Sequence, residues 1–305
     1  MKTVFQKLRL APQDVSCGFQ GLAKGVAKGV AALVLAVSVT AGTSFVADIA
    51  DAASYPKKKP RQAEWTFAGP FGKWDKAQLQ RGLKVYTEVC AACHSMKLLS
   101  YRNLADLGYT EEQIKAYAAE FEVTDGPNDD GEMFDRTARP ADRFVGPYAN
   151  DKEAASANNG ALPPDMSLIA KARAVERGFP TFIFDIFTMY AESGPDYIYS
   201  LLTGYPEETP DGVDVLDGLH YNPYFIAGTA LAMSNPLSDD IVDYDDGTPQ
   251  TVDQYAKDIS AFLMWAAEPG LPDRKQRGFI VICFLLLFAG LLYFTKKRVW
   301  ADVSH

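Results

Sequence analysis

Four cysteines and three histidines are spread thinly over 305 residues, yet two cysteines and one histidine fall within "YTEVCAACHSMKLL". Cys90, Cys93 and His94 have the spacing Cys-x-x-Cys-His, and three chemistries compete for it. In the attachment pattern of a c-type haem, both sulfurs are joined to the porphyrin vinyl groups and the adjacent imidazole binds the iron. A structural zinc ion also uses Cys-x-x-Cys, but it wants further ligands, usually a second Cys/His pair. The chain offers only Cys17, Cys283, His220 and His305, all distant. A thioredoxin-like dithiol follows a strand in a βαβ pattern, whereas the residues before Cys90 read as helix. Covalent haem is the reading this motif supports.

The motif must be positioned by something. In "DKAQLQRGLKVYTEVCAACH", Leu79, Leu83, Tyr86, Val89, Cys90 and Cys93 recur at three- and four-residue steps, which predicts a helix over 75–94 with both thiols on its apolar face. Asp75 with Gln78 has the pattern of a capping box at its start. Further helices are expected over 110–120, 165–175, 195–203 and 251–267. The stretches between them are rich in Pro, Gly, Asn and Asp: "GPNDDGE", "ARPADRFVGPYANDK", "ANNGALPPD", "GYPEETPDG", "HYNPYF". There is little strand periodicity and no repeat. The expected fold is mainly α with long irregular loops, and loops of that length are usually functional. A haem would supply the apolar core such a domain otherwise lacks.

The two ends differ from this head. Lys2, Lys7, Arg9, Lys24 and Lys28 precede an apolar run, "GVAALVLAVSVTAGTSFVA", that leads to the small residues "DIADAAS". Residues 1–53 are therefore expected to be an export signal or presequence, possible cleavage points falling after Ala47 or near Ala52 and Ala53. A mitochondrial bipartite presequence and an uncleaved membrane helix are the alternatives. Residues 278–294, "GFIVICFLLLFAGLLYF", carry no charge, approach the length of a bilayer span, and lie between Arg274, Lys275 and Arg277 on one side and Lys296, Lys297 and Arg298 on the other. This predicts a transmembrane anchor within 273–305 and a head over 54–272, and the export signal then places the C-terminus in the cytoplasm. Inside the span Cys283 acts as a small apolar residue.

Charge narrows the partners. The whole chain has a net charge of -9. Counted over 54–272, 19 Lys plus Arg against 34 Asp plus Glu give 19 − 34 = −15. The acids cluster in "TDGPNDDGEMFD", "PEETPDGVDVLD" and "SDDIVDYDD". Nucleic acid is excluded by sign. A solvated surface or Ca²⁺ binding accounts for such clusters, although none has EF-hand spacing; a docking field for a basic partner is the sharper alternative.

An iron held by His94 needs a sixth ligand or an open site. Met96 is too close in sequence to reach the opposite face, Met264 lies in a core-like helix, and His305 is terminal. Met133, Met166 and Met189 remain available by type. Met233, in "GTALAMSNPL", lies in a Gly- and Pro-bounded loop that suits a crossing of the far side, and His220, in "GLHYNPYF", is its competitor.

From about Phe67 onward the chain resembles the cytochrome c1 family. The stretches that carry the resemblance are "FGKWDKAQLQRGLKVYTEVCAACHSM", "NNGALPPDMSLIAKAR", "DYIYSLLTGY", "GLHYNPYF", "ALAMSNPL", "DYDDGTP" and "FLMWAAEP", in that order before the tail helix. The resemblance implies a cytochrome c-like haem domain with one covalent haem c on Cys90 and Cys93, and His94 and Met233 as axial ligands. It also implies that Pro163 and Pro164 pack on the haem and that Arg173 and Tyr197 form a propionate-side pair. The segment "AVERGFPTFIFDIFTMYAESGP" resembles an insertion of some bacterial members. The implied function is one-electron relay in a bc1 complex, from a Rieske iron-sulfur protein to a soluble, basic cytochrome c, beside cytochrome b and anchored in a lipid bilayer. Quinol chemistry would belong to other subunits. The implied place is a bacterial inner membrane with the head in the periplasm, or else a mitochondrial inner membrane. A haem subunit of another membrane oxidoreductase and a haem-based gas sensor are the rivals.

Overall fold

The computed structural model describes residues 58–302. The expected export segment with Cys17, and His305, lie outside the described residues. In chain order the elements are α1 (Lys76–Glu88), a 3-10 turn (Cys90–Ala92), a 3-10 stretch (Tyr101–Leu107), α2 (Glu111–Ala118), β1 (Glu122–Asp125) and β2 (Phe134–Thr137). There follow α3 (Asp151–Ala157), α4 (Ile169–Ala172), α5 (Thr181–Thr188), α6 (Ser193–Leu202), β3 (His220–Tyr221), β4 (Ala230–Leu231), α7 (Val252–Ala267) and α8 (Leu271–Val299). The protein is mainly helical, as its periodicity predicts, with two short antiparallel strand pairs. One joins Glu122 to Thr137 through Asp125 to Phe134, and the other sets His220 opposite Leu231 and Tyr221 opposite Ala230.

The core is built on α7. The Thr251 hydroxyl accepts the Gln254 N–H at 3.4 Å and the Asp239 carboxylate accepts the Val252 N–H at 2.7 Å, so the first turn is capped twice. From Asp258 to Trp265 every residue is buried, because α7 runs between α1, α4 and α6. Transferring side chains such as Ile259, Phe262 and Leu263 from water contributes about 1.5–3 kcal/mol each. Helices α1 and α7 meet at Gly82, where an added β-carbon would lie 2.3 Å from the Asp258 carbonyl oxygen and 2.5 Å from Phe262 Cβ. No larger residue fits that crossing. Beside it Arg81 bonds the buried Asp258 at 2.9 Å and Asp246 at 2.7 Å, while the Tyr244 hydroxyl donates to Asp258 at 3.0 Å.

Two local departures from the sequence reading matter, and the expected cap at Asp75 forms. The first helix stops at Glu88 rather than running to His94, and Cys90–Ala92 tighten into a 3-10 turn after Val89. Asp75 caps α1 by accepting the Ala77 and Gln78 N–H groups at 3.0 and 3.3 Å. The "TDGPNDDGEMFD" cluster forms most of a hairpin whose four-residue strands are largely exposed and so lack an alternating apolar pattern. Arg136 ties that hairpin down, reaching Asp125 at 2.5 Å and Asp142 at 2.7 Å.

Helix α8 is 29 residues long and apolar enough to cross a membrane, and its uncharged run is exposed apart from two half-buried glycines, Gly278 and Gly290. Its base is locked into the head. Lys275 is buried, reaches the buried Glu192 at 2.6 Å and donates to the Phe67 carbonyl at 3.1 Å. A cation that reads as a membrane-flanking charge is thus part of the head's interior.

Candidate haem site

Helix α1 ends where the chemistry begins. The Cys93 and His94 N–H groups both return to the Cys90 carbonyl, at 3.2 and 2.9 Å, folding the motif into one compact turn. The Tyr86 hydroxyl, fixed in the core, donates to the His94 carbonyl at 3.1 Å and holds that turn against α1. Cys90 and Cys93 form no disulfide with each other. Burial pushes the Cys90 thiol up to about 12, with Cys93 adding to the shift. A redox-active dithiol needs a depressed thiol pKa, so this environment argues against that chemistry. Among the described residues no group of three or more His, Cys, Asp or Glu side chains gathers as a metal-ion site.

His94 is oriented by a residue 70 positions away. Its Nδ1 lies 2.8 Å from the Pro164 carbonyl oxygen, which can only accept, so Nδ1 carries the proton. In a neutral imidazole that leaves the Nε2 lone pair for a metal, the arrangement second-shell hydrogen bonds impose on ligating histidines. Burial holds His94 below the ordinary histidine range; the Pro164 bond and the Asp165 carboxylate oppose this without offsetting it. The free ring is therefore neutral near pH 7. These residues fit a c-type haem: two sulfurs uncommitted to a disulfide, an imidazole with a fixed tautomer, and exposed apolar side chains at Leu162, Pro164 and Leu168 on the neighbouring loop.

Asp165 holds that loop in place. Its Oδ2 accepts the Ser95 hydroxyl and the Lys97 N–H, each at 2.8 Å, and its Oδ1 accepts the Ser167 N–H at 2.9 Å. The Met166 N–H adds a bond to the Ser95 carbonyl at 2.8 Å. Pro163 is half-buried and Pro164 exposed, and the carbonyl of Pro164 faces the histidine. Sequence reasoning missed Asp165, although its place directly after two prolines was the available signal.

The other expected site residues form a second group. Tyr197 is buried on α6, its phenol bonded by the Ile226 backbone and close enough to Arg173, at the end of α4, to feel its charge. Burial raises the Tyr197 phenol, against the opposing pull of Ile226 and Arg173. Tyr205 is also raised by burial, with Tyr197 contributing, and its hydroxyl donates to the Met233 carbonyl at 3.0 Å. Tyr205 thus bonds the backbone of Met233, and it is a second residue the sequence did not single out. Met233 is half-buried against the core. Its competitor His220 is exposed on β3, opposite Leu231 and so in the same small hairpin. Met96 and Met264 are buried in the core, and Met133 is exposed on the hairpin region.

The acidic clusters prove partly structural. Asp239 caps α7, Asp246 binds Arg81 and accepts the Thr248 N–H, and Asp245 lies 3.6 Å from Lys84. Asp129, Asp130 and Glu132, at the hairpin tip, are exposed.

A helical head with an oriented histidine beside two cysteines, continuing into a helix long and apolar enough to cross a membrane, fits the class of membrane-anchored haem proteins. The family model described as the Cytochrome C1 family matches residues 65–303, and this chain belongs to that family. It is 53% identical over 288 residues to a cytochrome b/c1 of Bradyrhizobium diazoefficiens, covering 93% of this chain and 41% of that longer protein. It is 44% identical to a cytochrome c1 of Rhodospirillum rubrum, over 79% of this chain and 88% of that one. With a mitochondrial cytochrome b-c1 complex catalytic subunit of Candida albicans it shares 41% identity, over 86% and 84% of the two chains.

Proposed function

We propose that this chain is the haem c subunit of a quinol–cytochrome c oxidoreductase, passing single electrons from a Rieske iron-sulfur protein to a soluble cytochrome c. The observation that carries the reading is the His94 Nδ1 contact with Pro164 beside two unbridged cysteines. Family membership and relatives named for the b-c1 complex support it. Cys90 and Cys93 would hold one haem c through thioether bonds, His94 and Met233 would be its axial ligands, and Arg173 with Tyr197 would meet its propionates. Haem c held by these residues would supply a one-electron couple, and methionine ligation would raise its potential. The chain's own residues do the rest. Pro164 fixes the histidine tautomer, Asp165 fixes Pro164, and Tyr205 steadies the backbone of Met233. No independent substrate chemistry is assigned to the chain beyond this relay; it acts as an oxidoreductase subunit beside cytochrome b.

The head would lie in the periplasm of a bacterial inner membrane with the C-terminus in the cytoplasm. Between Arg177 and Lys257 the sequence has no Lys or Arg, which leaves an acidic surface suited to a basic cytochrome c. The test is an optical one on the purified membrane protein, comparing wild type with Met233→Leu. A pyridine haemochrome of the c type, no carbon monoxide response in wild type, and a new response with lowered potential in the variant are expected. A prompt response in wild type would instead mean an open sixth position and favour a gas sensor.

A further inference from the structure

Helix α5, within the segment that resembles a bacterial insertion, is turned inside out for a helix in water. Phe179 just before it is 80% exposed, and Phe184, Ile186 and Phe187 on it are 64%, 62% and 78% exposed. Its one charged side chain, Asp185, is turned inward and paired with Arg177 at 2.9 Å. That guanidinium also lies 4.3 Å from the ring centroid of Tyr190, so the pair is held against the protein. A helix facing water puts its charge outward and its aromatics inward. An exposed apolar patch of this kind marks a contact with something apolar.

Position identifies the contact. Met189 closes α5, and a β-carbon added to Gly278 would lie 3.8 Å from its Cε. Three residues further on, Glu192 holds Lys275 at 2.6 Å, so the end of this segment is pinned to the base of α8. The exposed Phe71 packs edge-on against Phe279 at 5.1 Å between ring centroids. Gly278 and Phe279 begin the uncharged run of α8. The segment that leads out of α5, and the Phe71 loop, therefore adjoin α8 at the level where it enters hydrocarbon.

We propose that α5 and Phe71 form a membrane-seated collar, their aromatic side chains dipping into the boundary between lipid headgroups and acyl chains around the base of the anchor. The occupant is the bilayer because the patch is continuous with the membrane span and its one acid is neutralised, which gives a charged partner nothing to recognise. Interfacial helices bury one apolar face in this way, and aromatic residues favour that depth. The collar gives the head a second attachment, which limits its tilt about the single helix. This inference rests on α8 crossing the membrane and is independent of the electron-relay reading.

The test uses the full haem-loaded chain in phosphatidylcholine/phosphatidylglycerol nanodiscs, with Cys90 and Cys93 committed to haem and Cys17→Ala and Cys283→Ala removing the other thiols. Spin labels go separately on Phe184→Cys and Phe187→Cys, both exposed enough to leave the fold intact by far-UV circular dichroism. A label on Leu216→Cys, which is 77% exposed, serves as the aqueous control, and one on Cys283, in a separate chain that carries Cys17→Ala but keeps Cys283, as the control for the span itself. Accessibility to oxygen relative to a nickel chelate should be several-fold higher at 184 and 187 than at 216. A ratio equal to that at 216 puts α5 in water and overturns the proposal. Low access to both reagents means protein cover, by a second copy or another subunit, and overturns it too. A water-exposed label at Cys283 overturns the membrane span and the collar together.

Discussion

Asp165 is the residue on which the histidine's orientation depends, and replacing it tests that claim quantitatively. Three donors converge on its carboxylate: the Ser95 hydroxyl, the Lys97 N–H and the Ser167 N–H, at 2.8, 2.8 and 2.9 Å. A charge-assisted bond contributes about 1.5–3 kcal/mol when well buried. Asp165 is only half-buried, so solvent screening brings the three together to roughly 2–3 kcal/mol. Asp165→Ala should cost about that much. Asp165→Asn keeps an oxygen for the two donors at Oδ2 and turns an amide N–H toward Ser167, so about 1–2 kcal/mol is expected. Guanidinium titration of the detergent-solubilised holoprotein, followed by far-UV circular dichroism, measures both. The pH dependence supplies an internal check. Burial alone would raise this carboxyl, but its bonds to Lys97, Ser167 and Ser95 outweigh that and hold it below its ordinary value of 3.8. A depressed folded pKa contributes stability that is fully present above the ordinary value and is lost as pH falls through the depressed one. Wild type should therefore lose an increment of stability in that acid window that Asp165→Asn never has. Identical midpoints for all three proteins at neutral pH, or identical acid limbs, would refute the idea that this carboxylate anchors the Pro164 loop.

Other substitutions probe the scaffold. Gly82→Ala places a methyl group 2.3 Å from the Asp258 carbonyl oxygen, forcing α1 and α7 apart; a loss of about 1–3 kcal/mol or more is expected in the same titration. Lys275→Met leaves Glu192 buried without its cation and should cost on the order of 3–5 kcal/mol, whereas Lys275→Met with Glu192→Leu should recover most of it in a double-mutant cycle. Tyr205→Phe removes the donor to the Met233 carbonyl and should cost about 1 kcal/mol, with faster carbon monoxide binding by the reduced protein than in wild type.

The features legible from the chain alone are local. Cys-x-x-Cys-His needs only five consecutive residues, and the tail span only seventeen; α1, α2 and α7 are legible because their periodicity and capping residues are near neighbours, as in the reciprocal bonds of Thr110 and Gln113. The stop at Glu88 was not legible, because the apolar periodicity continues through Cys93 while the closing bonds to the Cys90 carbonyl override it. The hairpin over 122–137 escaped for the opposite reason: exposed four-residue strands carry no pattern. The contacts that needed the folded core span long separations. His94 finds its acceptor 70 residues away, Lys275 finds Glu192 and Phe67 across 83 and 208, and Arg81 finds Asp258 across 177. A charge in sequence has no sign of burial attached to it, and a backbone carbonyl has no sequence signature at all. The donor and acceptor types were written in the chain, but which of them meet depends on how α1, α4, α6 and α7 pack, and that packing is a property of the whole core.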